Sequence, residues 1–383
     1  MTPAARISAA ITILDRVLGG EPAEAALIRW SRASRYAGSG DRAAVRDLVF
    51  DSLRRLRSRA TLGGAMTGRG VLLGACREAG RDPAEIFSGE GHAPAVLTEA
   101  ELALGRAPAG AEALDLPDWM LGEWQASLGD QAEAVAEAMR TRAPVWLRVN
   151  PRKADPKAAQ AALAAEGILT ETSPLLETAL EVREGSRKLA NAQAYREGLV
   201  ELQDLSPQLA CAALPLTGSV LDFCAGGGGK ALALAGRGAA SVSAHDIDRA
   251  RMANLPERAR RAGGTIRLVP PGKAAGRFDL VVADVPCSGS GTWRRTPDQK
   301  WRLTEADLER LGGLQTQILD QSAEVVAAEG HLAYMTCSVF ARENQDQVQA
   351  FLSRNSGFVL EKVTEYSPLT ASDGFFCAIL RRN

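Results

Sequence analysis

The run Val220-Leu221-Asp222-Phe223-Cys224-Ala225-Gly226-Gly227-Gly228-Gly229-Lys230 constrains the fold more than any other stretch of this chain. A short hydrophobic strand passes straight into four consecutive glycines, and a helical pattern follows. Glycines let the backbone turn sharply and let a ligand approach main-chain atoms closely. Strand, glycine turn and helix in that order open a doubly wound α/β sheet, in which ligands sit at the carboxyl ends of the strands. The rest of the C-terminal half agrees. Strand patterns fall at 219–223, 241–244, 265–269, 279–284, 331–335, 359–362 and 375–380, and helical stretches alternate with the earlier ones.

Three nucleotide-binding readings compete for the glycine loop. A P-loop requires Gly where Cys224 stands and Ser or Thr where Ala231 stands, so it fails at two positions. A dinucleotide fingerprint can be forced onto the glycines, but a lone glycine cluster is weak evidence. A methyltransferase loop holding the methionine part of its cofactor fits better, with Cys224, Ala225, Gly226, Gly227, Gly228, Gly229 and Lys230 as its lining. The second strand ends Ala244-His245-Asp246-Ile247-Asp248. An acid about 20 residues past such a loop is placed to accept hydrogen bonds from ribose hydroxyls. Asp246 is preferred over Asp248 because it lies nearer the strand end. The competing reading makes both acids caps of the next helix. His245 reads as a neighbour, not a catalyst.

Two further strands end in cysteine: Asp284-Val285-Pro286-Cys287-Ser288 and Tyr334-Met335-Thr336-Cys337-Ser338. A single cysteine is commonly a small buried hydrophobe. Two at matching strand ends, each followed by Ser, predict one thiol site in one crevice. Thiolate addition to carbon 6 of a cytosine would make carbon 5 nucleophilic toward a sulfonium methyl, dividing one hard step into easier ones. Lys230 is placed to favour a thiolate, and Asp284 to hydrogen-bond the base and discriminate cytosine from uracil. The following segment carries Arg294, Arg295, Lys300 and Arg302 with Trp293 and Trp301. It is a candidate RNA surface, with phosphate contacts from the cations and base stacking on the indoles. The competing reading is an ordinary loop with its tryptophans packed inward.

The 383 residues imply two or three domains. Residues 1–135 read as an all-α domain with its connector, 136–200 as a small α/β lead-in and 201–383 as the sheet domain. Thr2-Pro3 suits a helix start. Asp41 suits the cap of another helix, which carries Arg54, Arg55, Arg57 and Arg59 at its far end. That run is either a solvated helix end or an RNA backbone contact. A net charge of −1 excludes a polycation, so RNA contact must be local. Six cysteines without zinc-ligand spacing and three histidines predict no metal. With no signal peptide and no apolar run long enough to span a bilayer, the expected compartment is the reducing cytoplasm. Nothing in the sequence demands more than a monomer.

These motifs closely resemble the Sun/RsmB-type RNA cytosine-5 methyltransferases over nearly the whole chain. The N-terminal third is similar to the family's NusB-like RNA-binding domain at 6–18, Asp41-Arg42 and Leu53-Arg54. Further likenesses are Leu116-Pro117-Asp118-Trp119, Leu147-Arg148-Val149-Asn150, Gln203-Asp204-Leu205-Ser206, the two cysteine motifs, Glu343-Asn344 and Asp373-Gly374-Phe375-Phe376. The resemblance implies a class I, Rossmann-like methyltransferase domain using S-adenosylmethionine, with ribosomal RNA as the familiar substrate. It implies that Cys337 is the nucleophile, that Cys287 assists product release, and that the glycine loop, Asp246 and Asp284 line the cofactor site near Lys230. The family's loop reads Cys-Ala-Ala-Pro-Gly-Gly-Lys-Thr, so Gly226, Gly227 and Ala231 depart from it. Val269-Pro270-Pro271 lacks the family's third-strand acid. A weakened cofactor loop keeps a second expectation open, an RNA-binding ribosome-assembly factor without activity.

Overall fold

The computed structural model describes residues 1–216 and 218–383. They form two compact units. One comprises Met1–Arg142 and, from far along the chain, Trp293–Glu305; the other comprises Ala143–Thr292 and Ala306–Asn383.

The first unit is helical. Helices Pro3–Leu18, Ala23–Ala33, Ser39–Arg54, Leu56–Gly63 and Gly68–Glu78 surround a core that includes Ile13, Leu14, Val45, Val49, Leu53, Val71 and Leu72. Thr2 caps the first helix by accepting from the Ala5 N–H at 3.1 Å, as the Thr-Pro start predicts. Asp41 is not a cap. It lies inside the first turn of its helix, behind Gly38, and pairs with Arg6 and the N-terminal amine. The arginine run is not one helix end either. Arg55 breaks the helix, Arg54 and Arg59 are buried, and Arg55 and Arg59 pair with Glu78 while Arg57 pairs with Asp118.

The Trp293–Glu305 segment packs inside this unit. The Trp293 ring stacks on Trp124 at 6.2 Å, and the Trp301 Nε1–H donates to the Leu53 carbonyl at 2.7 Å.

The second unit holds two sheets. Strands β1 (Val145–Val149), β2 (Leu169–Thr172), β3 (Ala179–Glu184) and β4 (Val200–Leu202) pair antiparallel in the order β2-β3-β1-β4. Helix Pro156–Ala165 buries Ala159 and Leu163 with Leu147, Val149 and Leu180. The sequence indicates β1, the helix and β2; the sheet as built also includes β3 and β4 and ends at Leu202.

The larger sheet contains β5 (Ser219–Asp222), β6 (Ser241–His245), β7 (Arg267–Val269), β8 (Phe278–Asp284), β9 (Val326–Thr336), β10 (Phe358–Tyr366) and β11 (Phe375–Arg382). Its order is β10-β11-β9-β8-β5-β6-β7, with β5 to β9 parallel and β10 and β11 antiparallel to their neighbours. All seven expected strands are present. Successive residues face opposite sides, so Val220 and Leu280 join one core and Leu221 and Val281 the other. A sheet covered on both faces explains the near-continuous apolar run of β8. The chain leaves β5 toward β6 on one side, and β8 lies on the other. The crevice at that reversal is where a doubly wound sheet binds ligands. Among the described residues no helix is long and apolar enough to cross a membrane.

Candidate active site

The glycine loop follows β5 into that crevice. Its turn closes through the Gly228 N–H on the Ala225 carbonyl at 2.7 Å. Gly228 has φ +81°, and a Cβ there would stand 2.2 Å from a Leu255 methyl, so only glycine fits. Asp222, at the end of β5, accepts from the Ala231 N–H at 2.9 Å and thereby secures the first turn of helix Gly229–Gly236. Its other oxygen is buried without a hydrogen-bond partner among the described residues. Burial pushes this carboxyl up to about 7, with Lys230 opposing the shift.

Asp246 and Asp248 take different tasks. Asp248 caps the short turn Arg249–Met252, accepting from the Ala250 N–H at 2.9 Å. Asp246 is nearly buried and accepts from the Gly226 N–H at 2.8 Å and the Asp248 N–H at 2.9 Å, with Arg251 at 3.3 Å. The preferred acid is therefore joined to the glycine loop. Both ring nitrogens of His245 are engaged, Nδ1 with the Phe223 carbonyl at 2.8 Å and Nε2 with the Gly272 N–H at 3.2 Å. The histidine is a structural neighbour that secures the turn after β7.

The thiols of Cys287 and Cys337 lie 3.3 Å apart. Parallel pairing of β8 with β9 sets Asp284 opposite Met335, so both strands deliver their cysteines to one place. The adjacent Cys337 thiol, then burial, holds the Cys287 thiol well above its ordinary range. Cys224, on the glycine loop, is likewise raised by burial and by Asp222. Lys230 Nζ is hydrogen-bonded to Asp284 and sits 5.5 Å from the centre of the Phe375 ring. Burial acts to lower its pKa, but Asp284 and the other nearby anions outweigh burial, and the ammonium is held above its usual range.

Behind the thiols lies a buried polar clamp. Glu343 is fully buried; it accepts from the Ser288 N–H at 2.8 Å, from the Ser288 hydroxyl, and from Gln315 Nε2 at 2.9 Å. Gln315 also donates to the Pro286 carbonyl at 3.0 Å. The Ser290 and Ser338 hydroxyls meet at 2.8 Å, and Ser290 Oγ accepts from the Val339 N–H at 2.8 Å. Gly291 completes the closure, with its N–H on the Cys337 carbonyl at 2.9 Å and its carbonyl accepting from the Gly374 N–H at 2.8 Å. A Cβ on Gly291 would meet the Gly374 backbone at 2.4 Å.

Sequence reading brought out the serines after the cysteines and the Glu343-Asn344 pair, but not the clamp or the role of Asp222. One signal was available. Gln315 interrupts an otherwise apolar stripe, Leu308, Leu311, Ile318 and Leu319, on helix Glu305–Glu324. A polar residue at a core position needs partners.

The four candidate RNA-binding cations separate. Arg294 and Lys300 are buried within the helical unit, with Lys300 placed 4.5 Å from the Trp301 ring centre. Burial pulls the Lys300 ammonium down to about 8. These two offer no solvent-facing charge to a phosphate, because the tryptophans beside them pack inward and take them along. Arg295 and Arg302 are exposed. Among the described residues no group of three His, Cys, Asp or Glu side chains is placed to hold a metal.

The residues fit a cofactor with a cationic end and ribose hydroxyls. Asp222, Asp246 and Asp284 supply carboxylates around the loop, and one buried oxygen of Asp222 has no partner.

Known proteins agree with this architecture. The 16S rRNA methyltransferase RsmB/F family description matches residues 214–381, and the ferredoxin-like domain of RsmF/B-like methyltransferases matches residues 116–187. The ribosomal RNA small subunit methyltransferase B of Xanthomonas campestris is 34% identical over 261 residues, covering 65% of this chain and 60% of that protein. Its Vibrio cholerae counterpart is 34% identical over 283 residues, covering 70% and 65%. The chain thus spans under two thirds of the length of these relatives. Among solved structures, the crystal structure of PH0851 has a TM-score of 0.78 at 22% identity, covering 100% of this chain and 99% of that one. NSun6 from Pyrococcus horikoshii, solved with SFG, has a TM-score of 0.63 at 18% identity, covering 70% and 98%.

Proposed function

This chain belongs to the RsmB/F methyltransferase family, and on that premise we propose that it forms 5-methylcytosine in ribosomal RNA through a covalent cysteine adduct. The observation that carries the reading is the 3.3 Å approach of the Cys287 and Cys337 thiols, with the Lys230–Asp284 pair at the end of β8, three residues before Cys287. S-adenosylmethionine, held by the glycine loop, Asp246 and Asp284, supplies an electrophilic sulfonium methyl.

The chain's own groups do the rest. Cys337 adds as thiolate to carbon 6 of the base, which breaks the 5,6 double bond and makes carbon 5 nucleophilic. Cys287 keeps its proton because its neighbour and its burial raise its pKa, and it donates toward the Cys337 sulfur. Asp284, oriented by Lys230, hydrogen-bonds the amine edge of the cytosine and so discriminates against uracil. Once carbon 5 bears the methyl group it releases its proton to solvent, the electron pair of that C–H bond re-forms the 5,6 double bond, and Cys337 leaves carbon 6 as thiolate. Cys287 assists that release. The base must leave any stack to reach the crevice, so an unpaired cytosine is favoured. Arg295 and Arg302 remain the candidate phosphate contacts of the 293–305 segment, and the NusB-like reading of the helical unit gives it the wider RNA contact. Monomeric action in the cytoplasm suits this reading.

The test is a pair of substitutions assayed on ribosomal RNA. Cys337→Ala abolishes methyl transfer, whereas Cys287→Ala accumulates a protein–RNA adduct that survives denaturing electrophoresis. A Cys287→Ala enzyme that turns over normally without adduct contradicts the role assignment. The other reading, an inactive assembly factor, gains if calorimetry finds no S-adenosylmethionine binding at millimolar concentration.

A further inference from the structure

Within itself the glycine loop closes through one backbone bond, from the Gly228 N–H to the Ala225 carbonyl, and Asp246 accepts from the Gly226 N–H. Four successive glycines leave a large backbone entropy to be lost on binding, and Gly226 sits at φ +50°. Side chains from outside the loop reach its carbonyls. An Arg258 Nη1–H donates to the Gly227 carbonyl, and Arg148 donates to the Gly229 carbonyl at 3.0 Å. Arg258 is itself anchored. Its Nη2 donates to Glu201 Oε2 at 3.0 Å, and the second oxygen of Glu201 takes Arg261. Glu201 is 2% exposed, on β4 of the smaller sheet, and its only charged partners among the described residues are these two guanidiniums. Arg261 is fixed in turn 4.5 Å from the Tyr195 ring. A buried carboxylate is costly unless paired, so the Glu201–Arg258–Arg261 group is set by strong interactions.

We propose that Glu201 and Arg258 are positioning residues for the cofactor: through the Gly227 carbonyl they brace a turn whose own closure is the single Gly228 N–H to Ala225 carbonyl bond. This rests on the reading that the loop holds S-adenosylmethionine. The brace also stands where the family's loop has proline, a residue that stiffens the same turn covalently. A Cβ at Gly227 would lie 3.1 Å from Arg258 Nη1, and no hydrogen bond from the Gly227 N–H is found among the described residues. Proline at 227 and arginine at 258 are therefore alternative ways to set one backbone segment.

The test measures S-adenosylmethionine binding to the full chain by calorimetry, alongside steady-state kinetics on ribosomal RNA. Arg258→Met raises the Kd about tenfold, and Glu201→Gln does so by a smaller factor. The cofactor KM rises in step, while kcat at saturating cofactor stays within about twofold, because neither residue touches the reacting atoms. Adding Gly227→Pro to Arg258→Met brings the Kd back toward the parent value. Where Arg258→Met does not fold, Arg258→Gln, which keeps one donor, carries the same expectation. An unchanged Kd in a folded Arg258 variant, or no recovery with Gly227→Pro, overturns the brace. If the unsubstituted chain binds no S-adenosylmethionine, the functional reading falls and the brace with it.

Discussion

The two cysteine loops and the glycine loop are held in different ways. The cysteine loops are clamped by short neutral groups: the Ser288 hydroxyl and the Gln315 amide donate to one buried carboxylate, Glu343, and the Ser290 and Ser338 hydroxyls meet beside them. The glycine loop is held at its carbonyls by long guanidiniums that come from elsewhere in the unit. Short buried networks tolerate little displacement, because every unmade bond leaves a desolvated group. The arginine braces instead reach a partly exposed loop across solvent-accessible side chains, with Gly227 itself exposed. On the proposed reading, the contrast suits thiols that must be closely placed and a cofactor loop that has to admit and release its ligand.

Four substitutions break or sharpen that contrast. The largest effect belongs to Cys337→Ala, with methyl transfer falling at least about a thousandfold and the melting temperature hardly changed, measured by tritiated-methyl incorporation and calorimetry. Gly291→Ala comes next. Its methyl group runs into the Gly374 backbone, which cannot step aside as a flexible side chain would, so the crevice loosens at a cost of about 1–3 kcal/mol, read as a lower denaturant midpoint together with lost activity. Glu343→Gln removes one acceptor from the clamp. It costs about 1–3 kcal/mol and lowers kcat more than cofactor affinity; a variant that loses affinity but keeps kcat would erase the distinction between the cysteine loops and the glycine loop.

The smallest effect is a pH dependence. Asp222 holds its proton more tightly when folded, up to about 7 against an ordinary 3.8. Its contribution thus favours folding at low pH and is lost as pH rises through that window. Asp222→Asn, which keeps an acceptor for the Ala231 N–H, is expected to gain melting temperature relative to the parent near pH 8, with the gain fading toward pH 4. Parallel melting curves at the two pH values check it, and a gain that is the same at both would remove Asp222 as the titrating group.

The sheet domain was largely legible in the sequence, because short apolar strands, a glycine turn and matching cysteine motifs are local patterns that the backbone must obey. The pairing of Cys287 with Cys337 followed from strand ends alone. The clamp was not legible, since Gln315, Ser288 and Glu343 are separated by long stretches of chain and meet only through packing. Nor was the fate of Arg294 and Lys300. A run of cations beside tryptophans looks the same in a sequence whether it faces solvent or, as here, is folded inward. β3 and β4 were also missed. β4 is three residues long, too short for a period to declare itself.

The discontinuity of the helical unit bears on how such a protein can be rebuilt. Residues 293–305 leave the α/β unit soon after Cys287, lodge Trp293 against Trp124, and return at Ala306. A graft that replaced residues 1–142 alone would bring in a foreign helical bundle and keep a plug cut for the old one. The indole of Trp293 would then have no Trp124 to lie against, and the misfit would begin six residues beyond Cys287. Exchange of the N-terminal third among relatives must carry this distant insert with it.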